Sequence, residues 1–329
     1  MSARSIVVDA HHHWIPSDHA RFTERYVREG ERVTRDRGQI AIARDGVQVS
    51  RIAEIGPDVD AHLRDMASAG VDAAIFSLGL WMEWLTLAMA KEANDELAEI
   101  QRRHRGRILG LAHVPPLDEG TERELRRAVR ELGLVGVNLT THWRGRYLDD
   151  PAFRPLLRTI AELDVPIVIH ASALPGECRV AHEYGLGPLL GRAVDQLTAV
   201  TRLIASGALE ELPTLRIVAP HLGGGFFALR RRVGLGVPGS SVTRHAAGLA
   251  RVWFDTAPAG WEPAELALAV ANLGADHVVF GSDYPVQGDW LASAVAALGA
   301  APIDDAARAA VMGGNAAALF RIDAATPAS

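Results

Sequence analysis

The sequence predicts an α/β fold and, within that class, a (β/α)8 TIM barrel. Three observations point there. Eight short runs of β-branched and apolar residues recur along the chain, most of them separated by stretches of helical period. The first run closes on histidines, where a doubly wound open sheet would usually place a glycine-rich turn. The length of 329 residues suits one large barrel.

In chain order the expected strands are Ile6–Asp9, Ala73–Ser77, Ile108–His113, Gly136–Leu139, Ile167–His170, Arg216–Ala219, Val252–Asp255 and Val278–Gly281. Helical spacing is expected over Ala61–Ala69, Leu85–Arg103, Glu122–Leu132, Phe153–Leu163, Pro263–Leu273, Leu291–Leu298 and Asp305–Met312. The fifth of these begins with a proline, which a first helical turn tolerates. Two connections are longer than barrel loops normally are, residues 14–60 after the first strand and 171–195 after the fifth. Both leave the carboxyl ends of strands, where barrels keep their sites, and are expected to act as rim loops or lids. No internal repeat interrupts the pattern, so 1–329 is expected to be a single metal-dependent domain, fraying over Asp323–Ser329.

Composition narrows the functional classes. The hydrophobic fraction is 48% and the charged fraction 22%, both ordinary for a globular enzyme. The net charge is −6 with no long run of one sign, which argues against a nucleic-acid binder. No apolar run has membrane-spanning length and no signal peptide is read, so a cytoplasmic setting is expected. Cys178 stands alone, which excludes an internal disulfide and a multi-cysteine metal site. Lys91 is the only lysine and falls in a helical stretch, so a Schiff-base lysine at a strand end is not expected.

The chemistry concentrates at strand ends. In Asp9-Ala10-His11-His12-His13-Trp14, strand alternation turns His11 and His13 one way and His12 the other. His170 closes the fifth strand, His221 the sixth, and Asp283 follows the eighth in Gly281-Ser282-Asp283-Tyr284-Pro285. Each of these alone has an ordinary structural reading as a satisfied buried group. Together, at one rim, they read as a metal site of His11, His13, His170 and Asp283. Imidazole and carboxylate without thiolate suit one divalent ion, zinc first, with iron or manganese also compatible. Such an ion would activate a water, and His221 is placed either to move protons or to serve as a further ligand.

The combined motifs resemble the amidohydrolase superfamily, and within it the amidohydrolase-related branch that includes aminocarboxymuconate-semialdehyde decarboxylase. Asp-X-His-X-His at the first strand, His221-Leu222-Gly223-Gly224-Gly225, Gly-Ser-Asp-Tyr-Pro and the late Gly314-Asn315-Ala316-Ala317-Ala318-Leu319-Phe320 carry the resemblance, over residues 6 to 321. It implies that His11, His13, His170 and Asp283 bind one ion, that Asp283 and His221 are catalytic, and that His221 is the acid/base. Many members place a carboxylated lysine on the fourth strand. This chain has Leu134–His142 there without lysine, which fits a single-metal branch but leaves His142 open as a ligand for a second ion.

For substrate binding, Trp14, Trp81, Met82, Trp84 and Trp143 follow strand ends and could wall the rim. Arg51, Arg244 and the run Arg230-Arg231-Arg232 could clamp a carboxylate, although a triple arginine more often marks a solvated face. Glu83 and Glu177 lie in rim loops. The expected reaction is hydrolysis, with metal-activated water attacking the acyl carbon of an ester, lactone, thioester or amide in a small, partly apolar substrate. The alternative is a metal-dependent non-oxidative decarboxylase (a lyase) acting on a cyclic or enol-like carboxylic acid. A barrel that binds a small molecule without chemistry would not need so complete a ligand set. A small-molecule substrate is the expected partner, with no nucleic acid and no membrane, and the long loops are compatible with a homodimer.

Overall fold

The computed structural model of the chain describes residues 5–17, 31–36, 39–44, 47–53, 56, 58–79, 82, 85–172, 184, 186–233 and 237–322. Eight parallel strands run in the order β1 (Val8–His13), β5 (Ala73–Ser77), β6 (Ile108–His113), β7 (Gly136–Thr140), β10 (Ile167–His170), β11 (Ile217–Ala219), β12 (Val252–Asp255) and β13 (Val278–Val279). The barrel closes where β1 meets the chain after β13. Ala10 donates its backbone N–H to Phe280 at 2.8 Å and His13 to Tyr284 at 2.7 Å, and His12 bridges Tyr284 in parallel. The strands fall on the expected runs with shifted ends: β1 and β11 begin at Val8 and Ile217 rather than Ile6 and Arg216, β7 runs on to Thr140, and β13 stops at Val279 rather than Gly281. β1 continues through the histidines because His12 and His13 still pair with Phe76 and Ser77 of β5.

The outer helices include α1 (Val59–Ala69), α2 (Leu87–Arg103), α3 (Thr121–Arg130), α4 (Arg154–Leu163), α5 (Arg192–Ala205), α6 (His221–Leu229), α7 (Pro263–Leu273), α8 (Trp290–Ala300), α9 (Asp305–Ala309) and α10 (Asn315–Phe320). Lys91 is inside α2, as its surroundings predict. Both long connections hold more structure than expected. Residues 14–60 contain a three-stranded antiparallel sheet of β2 (Glu31–Asp36), β3 (Gln39–Arg44) and β4 (Val47–Ala53). In the second, a wide helical turn over Gly187–Gly191 leads directly into α5, so the expected loop is helical from Gly187 onward. A short hairpin, β8 (His142–Trp143) with β9 (Arg146–Tyr147), follows β7.

Two apolar clusters divide the core by strand parity. Ala74, Phe76, Val137, Leu139, Ile167, Ile169, Ile217, Ala219, Val252 and Phe254 pack with helix residues outside the barrel. Val8, Ala10, Ala73, Ile75, Leu111, Val168, Val218 and Val279 fill its inside, where Ala316, Leu319 and Phe320 of α10 join them. Alternation then sends the strand-ending His170 and Asp255 inward as well. On β1 the parity changes. Three residues of β1 span the register from Asp9 to His12 where two suffice on β5, from Ala74 to Phe76. This bulge lets Val8 and Ala10 fill the interior while His11 and His13, rather than His12, face the mouth.

Arg308 of α9 secures the turn after α8. Its Nη1 donates to the carbonyls of Leu298 and Gly299 at 2.7 and 2.8 Å, and its Nη2 to Ala301 and Ile303 at 2.9 and 3.0 Å. Leu298 and Gly299 lie in the last turn of α8, whose carbonyls lack i+4 partners, and Ala301 and Ile303 lie in the turn itself. Arg308→Met should lower unfolding stability by about 1.5–3 kcal/mol, the range for hydrogen bonds to a charged group. Arg308→Lys should recover little, because an ammonium cannot span the fork. Urea unfolding checks both; a midpoint unchanged in Arg308→Met would remove the role assigned to this arginine.

Candidate metal centre

At the carboxyl ends of the strands, His11 and His13 from β1, His170 from β10 and Asp283 from beyond β13 are all buried. One ligand atom from each lies within 4.8 Å of all the others. Donors around one divalent ion with arms of about 2.1 Å are at most about 4.2 Å apart. Small side-chain adjustments therefore bring these four onto a shared cation. His11 Nε2 is buried and has no aligned hydrogen-bond partner, although Asp283 Oδ1 lies 3.3 Å away. A cation would satisfy that atom, and the donor set of imidazole nitrogens and carboxylate oxygen suits zinc, iron or manganese alike.

Groups behind the histidines fix which nitrogen faces the centre. Asp255 Oδ2 takes the Nδ1–H of His11 at 2.8 Å. The Ala171 carbonyl takes that of His170 at 2.8 Å, and the Ser77 hydroxyl lies 3.3 Å from Nδ1 of His13. His11 and His170 are thereby held with Nε2 toward the centre, the arrangement by which partners of metal-bound histidines set the tautomer, and His13 Nε2 lies 2.7 Å from Asp283 Oδ1. The other oxygen of Asp255 accepts the backbone N–H groups of His221 at 2.8 Å and Ala257 at 3.1 Å. One carboxylate thus braces a cation ligand and the turn that carries His221. Gly281 is required beside it, because a Cβ there would sit 2.7 Å from the Cβ of His11 and 3.2 Å from that of Asp255.

His221 opens α6, but its first residues wind left-handed. His221, Leu222, Gly223, Gly224 and Gly225 all have φ between 50° and 85°. The turn carries the imidazole back over the mouth, where its ring stacks on His11 at a centroid distance of 5.3 Å. Its Nδ1 is 2.9 Å from the amide nitrogen of Gln196 in α5, and its Nε2 is buried without a hydrogen-bond partner.

Burial alone lowers an imidazole pKa. It does so for His13, more strongly for His170, and brings His221 down to about 4. His11 behaves differently. Burial lowers its pKa, but the carboxylates of Asp255 and Asp283 outweigh that and raise it well above the ordinary value. Asp283 is its counterpart, since burial raises its pKa and the neighbouring imidazoles of His11 and His13 then hold it well below the carboxylate range. A cation and a proton therefore compete for His11.

The other residues singled out in the sequence fall in varied places. Trp14 and Trp143 are buried in the outer core rather than lining an open wall, and Arg144 lies over the Trp143 ring at 5.5 Å. Met82 is also fully buried there. Trp81, Glu83, Trp84, Glu177 and Cys178 lie outside the described residues, as does the side chain of Arg51, whose backbone pairs with Ala41 in the antiparallel sheet. Arg244 is exposed on a short helix that Ser241 ties to the carbonyl of Ala205, at the C-terminal end of α5. Nine residues of α5, about 13 Å of helix, separate that end from Gln196. Arg230 donates to the Asn272 carbonyl near the end of α7, and Arg231 and Arg232 are exposed, as a solvated face predicts. His142 stands 3.9 Å from Asp195 and outside the four-residue cluster. Asp255 and Gln196 were not singled out in the sequence. A strand-ending acid with inward parity is a readable signal for the first; an amide on an amphipathic helix offers none for the second.

Fold and site together define a barrel with a buried group of side chains able to hold one cation at its mouth. The chain belongs to the amidohydrolase family, whose model matches residues 8–322. It is 31% identical over 255 residues to the gamma-resorcylate decarboxylase of Rhodococcus jostii, covering 71% of this chain and 77% of that protein. It is 27% identical over 301 residues to the 2-amino-3-carboxymuconate-6-semialdehyde decarboxylase of Dictyostelium discoideum, covering 86% and 82%. A 5-carboxyvanillate decarboxylase from Novosphingobium aromaticivorans, solved with manganese and 4-hydroxy-3-methoxy-5-nitrobenzoic acid, matches with a TM-score of 0.77 at 24% identity over 96% of each chain. Among the described residues no helix is long and apolar enough to cross a membrane.

His11→Ala and Asp283→Ala should each strip the purified protein of metal, read by elemental analysis; full occupancy in either would remove that residue from the site. Loading at neutral pH should release about one proton, and metal affinity should fall as pH falls, because protonated His11 must give up its Nε2 proton. Titration calorimetry in buffers of different ionisation enthalpy measures the release, and an identical heat in all of them would contradict it.

Proposed function

We propose that this enzyme is a metal-dependent, non-oxidative decarboxylase of a small hydroxylated aromatic or enol-like carboxylic acid. Zinc is the first choice of ion, and manganese or iron fits the same ligands. The observation that carries the reading is the relationship, over most of the chain, to enzymes named for decarboxylation, joined to a buried four-ligand cation site. Hydrolysis, favoured by the sequence motifs alone, thereby becomes the second reading. A nearby positive charge adds support. Arg192, one turn before Gln196 on α5, is close enough to His221 that its charge disfavours the imidazolium. Arg244 offers no such placement, and the side chain of Arg51 lies outside the described residues.

Held by His11, His13, His170 and Asp283, a divalent ion would supply a Lewis acid that anchors and polarises a substrate oxygen. The remaining work falls to the chain. Decarboxylation of an aromatic acid adds a proton to the ring carbon bearing the carboxylate. The carbon–carbon bond then breaks, its electron pair returns to the ring and carbon dioxide leaves. His221 Nε2 is buried without a hydrogen-bond partner beside the ring of His11, placed to move that proton. Burial makes its imidazole neutral at pH 7, and an anionic substrate beside it restores proton affinity.

With the metal-loaded enzyme, gamma-resorcylate and related ortho-hydroxybenzoates should release carbon dioxide. In deuterated water the product should carry deuterium at the carbon that lost it. Turnover of a lactone or ester panel, with no carbon dioxide from any acid, would move the assignment to hydrolysis. His221→Ala should retain most of its metal and lose roughly 10²- to 10⁴-fold in kcat, the range for a missing proton-transfer group. Loss of the metal as well would make His221 a ligand.

A further inference from the structure

We propose that Asp195 is a positioning residue for the cation site, orienting His170 through the hydroxyl of Thr141 and the Ala171–Ser172 peptide much as Asp255 orients His11 directly. The inference deepens the proposed function; it rests on the cation site of that reading but not on which reaction is catalysed. The chain of contacts starts at the ring. The Ala171 carbonyl takes the Nδ1–H of His170 at 2.8 Å. That carbonyl shares one planar trans peptide with the N–H of Ser172, which points the opposite way. The Ser172 N–H donates to Oγ1 of Thr141, just past β7, at 3.1 Å. The hydroxyl has one hydrogen to give, and Asp195 Oδ2, in hydrogen-bond contact with Thr141 Oγ1, can only accept it. The Ser172 hydroxyl, 2.8 Å from Thr141 Oγ1 and 3.2 Å from the His142 carbonyl, is free to donate to either. Each main link therefore has a fixed sense, because backbone N–H groups only donate and carbonyls and carboxylates only accept.

The relay is built into the core. Thr141, Ser172 and Asp195 are all buried, where such hydrogen bonds are stronger than in water and polarise one another. The other oxygen of Asp195 accepts the Tyr147 hydroxyl at 2.6 Å, and His142 Nε2 stands 3.9 Å from it. Burial, with Asp195 beside it, raises the pKa of Tyr147, so the phenol stays a donor. Asp195 lies on α5, the helix on which the His221 turn rests: a Cβ on Gly224 would run into the Ala193 carbonyl oxygen. The helix that backs His221 is thereby joined to the strand end that carries His170. Without the Thr141 hydroxyl the Ala171–Ser172 peptide would lose the acceptor that sets its plane, and His170 the fixed carbonyl that keeps Nε2 toward the centre.

Two readouts on the full chain test the idea. Zn²⁺ affinity, measured by competition with a chromophoric chelator, should fall roughly 10- to 100-fold in Thr141→Val and in Asp195→Leu, the size of effect seen when a partner behind a metal-bound histidine is removed. Thr141→Ser keeps the hydroxyl and should return the affinity to the wild-type value. Long-range proton–nitrogen correlation spectra of the metal-free protein, labelled with ¹⁵N-histidine, supply the second readout, with His170 assigned by its loss in His170→Asn. His170 should carry its hydrogen on Nδ1 in the wild type and in Thr141→Ser, and show mixed tautomers in Thr141→Val. An unprotonated Nδ1 in the wild type overturns the proposal, even if no variant folds. A lowered melting temperature in Thr141→Val with affinity and His170 signals unchanged would make the network merely structural and overturn it as well. So would equal losses in Thr141→Ser and Thr141→Val, because the hydroxyl would then not be the link. Absence of decarboxylation in a wild type that shows the expected affinities and tautomers would count against the proposed reaction and leave the role of Asp195 standing.

Discussion

A buried imidazole offers a lone pair from Nε2 only when something accepts the proton on Nδ1, and this requirement organises the mouth of the barrel. Asp255 meets it for His11, the Ala171 carbonyl for His170, and Ser77 stands behind His13. None of these partners touches the centre, yet without them the rings could turn or take the wrong tautomer. Asp255 does most, because its second oxygen also holds the backbone of His221 and Ala257. A chain that merely placed four polar residues at strand ends would have the composition of a cation site without its orientation.

Behind the mouth, the far face of β1 keeps the strand from rotating. Asp9 accepts hydrogen bonds from the backbone of His11 at 3.1 Å and of Ser282 at 3.0 Å, and its other oxygen pairs with His12 Nδ1 at 2.9 Å. His12 Nε2 meets His62 Nδ1 of α1 at 2.8 Å, and His62 Nε2 reaches the Gly56 carbonyl at 3.0 Å. A buried polar chain of this kind is stable only when each member is satisfied, and so it admits one strand orientation. With His12 anchored toward α1, the period of the strand leaves His11 and His13 facing inward. The middle histidine of the triplet secures the other two.

Much of this was legible in the sequence because the barrel rule is geometric: a polar residue closing an apolar strand has few places to point except the carboxyl rim. His11, His13, His170 and Asp283 follow from that rule. The parity change on β1 was not legible, since a bulge appears only once β5 supplies a register. The antiparallel sheet within residues 14–60 was missed although its signal was present. Ile40, Ile42, Val47, Val49 and Ile52 largely alternate with other residues, and Asp45-Gly46, a favoured hairpin pair, separates the two runs. Gln196 is the opposite case. Its contact with His221 joins residues 25 positions apart, which the chain does not encode in any local pattern.

The two residues assigned to the chemistry share a further property. His221 and Asp283 have φ values of 54° and 62°, in the left-handed region that non-glycine residues avoid at about 1–2 kcal/mol each. In that conformation the backbone reverses just past the strand end, so a side chain that would have continued outward returns over the mouth. Both are held there by their own backbone N–H groups. Asp283 donates to the His11 carbonyl at 2.9 Å and His221 to Asp255 at 2.8 Å. The strain is thus offset by bonds to β1 and to Asp255, the same elements that orient the cation ligands. Because one set of bonds supports both the strained turns and the candidate ligand rings, the centre and the imidazole proposed for proton transfer cannot be moved independently, as a reaction needing both within a few ångströms would require.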